Sequence, residues 1–183
     1  MKPRWSIRLV SQAAAVGAAM SLGALPALAK ETPVGEPMKH AAMEIGLVYL
    51  QPIEMEPAGM MRDVADSDMH LEADIHALAK NPNGFADGEW VPALTVSYEL
   101  SKVGTDQKVS GPMMMMVADD GPHYGDNVKV FGPGKYHLVV HVAPPGHDFG
   151  RHVDKESGVG PWFAPFDVTA DFAFAGTGKK GGY

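Results

Sequence analysis

The sequence predicts an all-β protein, an immunoglobulin-like β-sandwich that forms a single domain behind a cleaved signal peptide. Pro, Gly, Asn and Asp punctuate the whole chain at short intervals. The segments between them are rich in Val, Ile, Tyr, Phe and Thr and alternate apolar with polar residues at a period of two. Helix signals are weak throughout, and seven short candidate strands are the number expected of a two-sheet sandwich.

Residues 1–29 are set aside first. Lys2, Arg4 and Arg8 give a basic start, Ala13 to Leu28 a small apolar stretch, and Ala27-Leu28-Ala29 a small-residue cleavage site. Gly17, Gly23 and Pro26 interrupt the apolar run, so it reads as a secretory signal and not as a membrane span. With no Arg-Arg pair and no cysteine, the general export route and a soluble periplasmic product are expected. The mature chain begins at Lys30, and residues 30–175 are enough for one domain with one core. Removing three basic residues and no acidic one takes the formal charge from −7 to −10. Nucleic acid and membrane insertion are disfavoured, and cations are the natural partners. The absence of cysteine in an exported protein leaves His, Met and carboxylates as the available metal ligands.

The expected strands are Met43 to Gln51, Met69 to Ala77, Ala93 to Ser101, Met113 to Ala118, Asn127 to Phe131, Lys135 to Ala143 and Val168 to Phe174. Leu94, Val96, Tyr98 and Leu100 form one face against Thr95, Ser97 and Glu99, and Val168, Ala170, Phe172 and Phe174 oppose Asp167, Thr169 and Asp171. Asn81-Pro82-Asn83-Gly84, Asp119-Asp120-Gly121-Pro122 and Pro144-Pro145-Gly146 are turn chemistry. The Gly- and Lys-rich residues 176–183 are expected to form a flexible tail.

The strand from Met69 to Ala77 places His70, Glu72, Asp74 and His76 on one face and Leu71, Ala73 and Ile75 on the other. Side chains at i and i+2 lie roughly 7 Å apart, so His70 and Glu72 can converge on one ion, whereas His70 and His76, about 20 Å apart, cannot. An ordinary solvent-facing β surface has the same pattern. Met113-Met114-Met115-Met116 must send two thioethers to each face of a strand, so all four cannot be core. Thioether sulfur suits Cu(I), while imidazole and carboxylate suit harder ions, and the alternative for each Met is gap filling. His123 follows in an expected turn held by Gly121 and Pro122, and His147 and His152 lie in a loop with the reach to close over a site. His137 and His141, about 13 Å apart on one strand face, cannot share an ion and read as structural. No nucleophile elbow or triad and no phosphate-binding Gly loop is present, so hydrolytic and nucleotide-dependent enzymes have no support in the sequence.

Several long segments carry a family resemblance: Tyr49-Leu50-Gln51-Pro52-Ile53-Glu54-Met55-Glu56-Pro57, His70-Leu71-Glu72-Ala73-Asp74-Ile75-His76-Ala77, Asn81-Pro82-Asn83-Gly84-Phe85, Met116-Val117-Ala118-Asp119-Asp120-Gly121-Pro122-His123-Tyr124-Gly125 and Gly150-Arg151-His152-Val153-Asp154. In this order the chain resembles the periplasmic proteins associated with high-affinity ferrous-iron uptake, which bind copper and iron. The resemblance implies an immunoglobulin-like homodimer with its metal site near the dimer interface, serving an inner-membrane iron permease as a carrier and not as an enzyme. It matches His70, His123 and His152 to the three histidine ligands, Glu72 to the carboxylate ligand and Met116 to the methionine ligand. Met113 to Met115, His137 and His141 have no counterpart role in the family. A periplasmic copper chaperone and a metal-dependent redox enzyme are the alternative readings.

Overall fold

The computed structural model describes residues 31–177. The expected signal segment 1–29, and the tail beyond residue 177, lie outside the described residues. The strands are β1 Thr32–Pro33, β2 Met38–His40, β3 Met43–Leu50, β4 Met69–Ala77, β5 Thr95–Lys102, β6 Lys108–Ala118, β7 Gly121–Val128, β8 Gly134–Ala143 and β9 Phe166–Phe174. A 3-10 turn, Val64–Asp66, is the one helical element among the described residues.

Every pairing is antiparallel, and β6 belongs to two sheets. From Lys108 to Met113 it pairs with β5, and from Met114 to Ala118 it pairs with β7. One sheet therefore runs β1-β3-β4-β7-β6 and the other β6-β5-β8-β9, with β2 paired to β3. Strands β5, β6 and β7 follow one another through short turns, and β8 returns to lie beside β5, which is Greek-key connectivity. Leu71, Ala73 and Ile75 of β4 share a core with Val96, Tyr98 and Leu100 of β5 and Leu138, Val140 and Val142 of β8. Each fully buried Leu, Ile or Val stabilises the fold by roughly 1.5–3 kcal/mol. Near the start of β8, Tyr136 donates its hydroxyl to the Gly132 carbonyl at 2.6 Å and accepts the Phe131 N–H at 3.0 Å. A tyrosine tied to backbone just upstream of its strand is the corner typical of immunoglobulin-like sandwiches, and the all-β immunoglobulin-like reading of the sequence holds.

Two local expectations change. The strand expected from Asn127 to Phe131 runs instead from Gly121 to Val128, because the turn before it is only the two residues Asp119 and Asp120. Pro122 lies near the strand's beginning, where a missing N–H is tolerated. The strand expected from Met113 starts at Lys108, since Val109 and Gly111 pair with Leu100 and Tyr98.

Candidate metal centre

Strand β4 is interior to its sheet, between β3 and β7, and both of its faces are covered. His70 is 0 % and Glu72 6 % exposed, so the reading of this face as an ordinary solvent-facing surface does not hold. Register brings the site together. Glu72 lies opposite Gly125 and His70 opposite Asn127 across the β4–β7 pair, and Met114 lies opposite Gly125 and Met116 opposite His123 across the β6–β7 pair. Directly paired antiparallel residues project to the same side. One face therefore carries His70 and Glu72 from β4, His123, Gly125 and Asn127 from β7, and Met114 and Met116 from β6.

His70, Glu72 and His123 each offer a ligand atom, and these atoms all lie within 4.8 Å of one another. Glu72 Oε1 is 3.5 Å from His70 Nε2 and 3.4 Å from His123 Nε2. His123 is buried in strand β7, not in a turn as the sequence suggested, and the strand alternation aims its ring at Glu72. Gly125 makes the approach feasible: a Cβ at this position would lie 2.5 Å from His70 Nε2.

Asn127 decides which nitrogen of His70 faces the cluster. Its amide N–H groups donate to the carbonyls of Ile53 at 2.8 Å and Arg62 at 2.9 Å, which orients the side chain. Its Oδ1 accepts the Ile53 N–H at 3.2 Å and stands 3.0 Å from His70 Nδ1. An oxygen there requires that Nδ1 carry the proton, so Nε2 presents a lone pair. That Nε2 is fully buried and has no hydrogen-bond partner, with Glu72 Oε1 standing 3.5 Å away. An orphaned buried nitrogen is costly unless something electropositive meets it. Burial lowers the His70 pKa to about 4, the nearby His123 adds to the depression, and only the Asn127 bond opposes it. Burial raises Glu72 to about 8, with further contributions from Asp74, Glu31 and Asp120. Two imidazoles and a carboxyl thus converge inside an acidic rim that attracts cations, and the carboxyl gives up its proton when a cation takes its place. Imidazole, carboxylate and thioether fit a borderline ion such as copper or iron.

The other sequence candidates fall elsewhere. Met116 is half-buried on the site face. Met113 is core, and Met115 is 51 % exposed with its sulfur 3.1 Å from the Ala93 N–H. His152 is not part of the cluster: its side chain is 75 % exposed in the long β8–β9 connection, with Nδ1 2.8 Å from Ser157 Oγ. His147 is exposed in the same connection. His137 and His141 sit outside the cluster, each 2.6 Å from an aspartate of β9, Asp171 and Asp167 respectively. Sequence reasoning missed Asn127 and Gly125. The period-two series His123, Gly125, Asn127 is the signal that could have found them, since it puts all three on one face of the strand.

The chain is similar to known proteins over most of its length. A UPF0423 protein of Brucella abortus (strain 2308) is 60 % identical over 161 residues, covering 86 % of this chain and 88 % of the relative. The copper-reconstituted P19 protein from Campylobacter jejuni is 51 % identical with a TM-score of 0.80, covering 82 % of this chain and 99 % of that one. FetP of uropathogenic Escherichia coli strain F11, expressed recombinantly in the periplasm, is 51 % identical with a TM-score of 0.78, covering 80 % and 97 %. The family model described as Fe2+ transport protein matches residues 28–176. With nearly the whole described chain matched and the His70–Glu72–His123 cluster inside that span, the chain belongs to the Fe2+ transport protein family.

Proposed function

We infer that the protein is a periplasmic metal carrier of a high-affinity iron-uptake system, exported by removal of residues 1–29. It binds copper and iron through His70, Glu72, Met116 and His123 and hands iron to an inner-membrane permease, without catalysing a reaction of its own. The observation that carries this reading is the buried, unpartnered Nε2 of His70, aimed at the Glu72 carboxylate and backed by Asn127. Copper in the solved P19 relative supports copper as one of the ions. His152 stands exposed and outside the cluster, so it serves as a ligand in a homodimer in which the second copy presents it. Among the described residues no helix is long and apolar enough to cross a membrane.

The test is metal content and affinity of the mature protein purified under defined copper and iron supply, wild type against His123→Ala. About one ion per chain in the wild type and loss in the variant is the expected result; equal binding by both would overturn the ligand assignment. A second reading, a copper chaperone, draws on one observation: Met114 shares the ligand face with Met116, which weights the donor set towards Cu(I). Copper that iron never displaces from the purified protein would favour it.

A further inference from the structure

The segment from Ile53 to Ala65, between β3 and β4, closes on itself around an open cavity of about 890 Å³. Met55, Met60 and Met61 line it together with Glu54 and Glu56. Elsewhere in the chain, buried or half-buried methionines such as Met38, Met43, Met69 and Met113 belong to or pack on the hydrophobic core, and Met55, Met60 and Met61 do not. Met60 is 45 % exposed. Three flexible apolar side chains gathered at a solvent-open cavity, and not used in core packing, call for another role.

The loop is also built to hold its shape. Its two ends are pinned to one buried side chain, since Asn127 donates to the carbonyls of both Ile53 and Arg62 and accepts from the Ile53 N–H. Ser67 Oγ adds a bond to the Asp63 carbonyl at 2.9 Å. A loop with fixed ends loses less conformational entropy when its tip orders around a ligand. Thioethers are soft donors that prefer soft monovalent cations, and flanking carboxylates attract a cation while hydrating too strongly to displace sulfur from such an ion.

We propose that this loop is a second metal site, distinct from the His70–Glu72–His123 cluster, that takes a soft monovalent cation of the Cu(I) class on the thioethers of Met55, Met60 and Met61. Because Asn127 touches both the loop and His70, the two sites share one buried anchor, and the loop is placed to receive or release a cation beside the central cluster. The site goes beyond the carrier reading and stands without it.

The probe is Ag(I), a redox-inert analogue of Cu(I), titrated into the mature full-length chain. The wild type is compared with the triple variant Met55→Leu, Met60→Leu, Met61→Leu and with His123→Ala. The triple variant, folded by circular dichroism, is expected to take up about one Ag(I) per chain fewer than the wild type, and His123→Ala to keep that ion. Undiminished uptake by the triple variant overturns the proposal. Should that variant fail to fold, wild type labelled with [methyl-13C]methionine decides. Shifts of the Met55, Met60 and Met61 methyl signals on adding Ag(I) support the site, and unmoved signals at saturation overturn it. Loss of the central ion together with retention of the loop ion, or the reverse, separates this inference from the carrier reading.

Discussion

Replacing Glu72 with Gln tests the electrostatic account of the centre at its most buried acid. In the metal-free protein burial raises this carboxyl from 4.5 to about 8, with Asp74, Glu31 and Asp120 adding repulsion. A folded-state pKa above the unfolded one means that the folded protein binds the extra proton. The associated stability is fully present below about pH 4.5 and is lost as the pH rises through about 8. At about 1.36 kcal/mol per unit the ceiling is near 5 kcal/mol; with some solvent access retained, the expected loss between pH 5 and pH 8 is about 2–4 kcal/mol. Gln has the shape of the neutral acid and cannot ionise, so Glu72→Gln removes this slope. Asp74 and Asp126, also raised by burial, stay in both proteins and cancel in the comparison. The assay is urea unfolding in the presence of a chelator at several pH values, wild type beside variant. Saturating metal reverses the wild-type trend, because the ion needs the carboxylate and releases its proton. Parallel stability curves for the two metal-free proteins would refute the reasoning, since they would mean the carboxyl is already ionised at its buried position.

Three further perturbations bear on the same centre. Gly125→Ala puts a methyl about where His70 Nε2 lies, at 2.5 Å, and is expected to lower metal affinity by on the order of tenfold or more while circular dichroism stays unchanged; wild-type affinity in a chelator competition would contradict the close-approach argument. Asn127→Ala leaves the Ile53 and Arg62 carbonyls and His70 Nδ1 without their partner, and is expected to cost about 2–3 kcal/mol in urea unfolding and to weaken metal binding. His152→Ala removes an exposed side chain, so stability should change by no more than about 0.5 kcal/mol, while the proposed homodimer predicts that metal affinity falls only at protein concentrations high enough for two copies to associate. Titration at a low and a high protein concentration, with sedimentation at each, checks the last.

Much of the centre was legible because β strands carry a rigid period. The alternation in β4 put His70 and Glu72 on one side and Leu71, Ala73 and Ile75 on the other, and both sets lie where that alternation requires. The burial of the polar face was not legible, because what covers it comes from far along the chain. Asn127 is 57 residues from His70 in sequence and 74 from Ile53. The setting of His123 was misread for a local reason: Gly121-Pro122 has turn composition, yet β4 and β6 both pair with the residues that follow, and those two ladders outweigh the local preference. The crossing of β6 between sheets had no sequence signal, since one continuous strand reads alike whether its partners lie in one sheet or two. His152 shows the remaining gap. Family resemblance assigned it a ligand role, and a single chain leaves it in solvent.

The four consecutive methionines of β6 make that strand chemically degenerate at the point where it passes from one sheet to the other. An ordinary strand that slips by one residue exchanges its two faces and is penalised at once. Here a slip would set one thioether in the core for another and one thioether at the ligand face for another, so the run itself supplies little information about where it should stop. Alignment has to be written at the ends. On one side Gly111 fits under the Tyr98 ring, where a Cβ would come within 3.1 Å of the hydroxyl; on the other, the two-residue Asp119-Asp120 turn fixes Ala118 opposite Gly121. Lengthening that turn by a residue would therefore leave a folded sandwich with its sulfur donors out of step with His123, an error that neither composition nor secondary-structure content would betray.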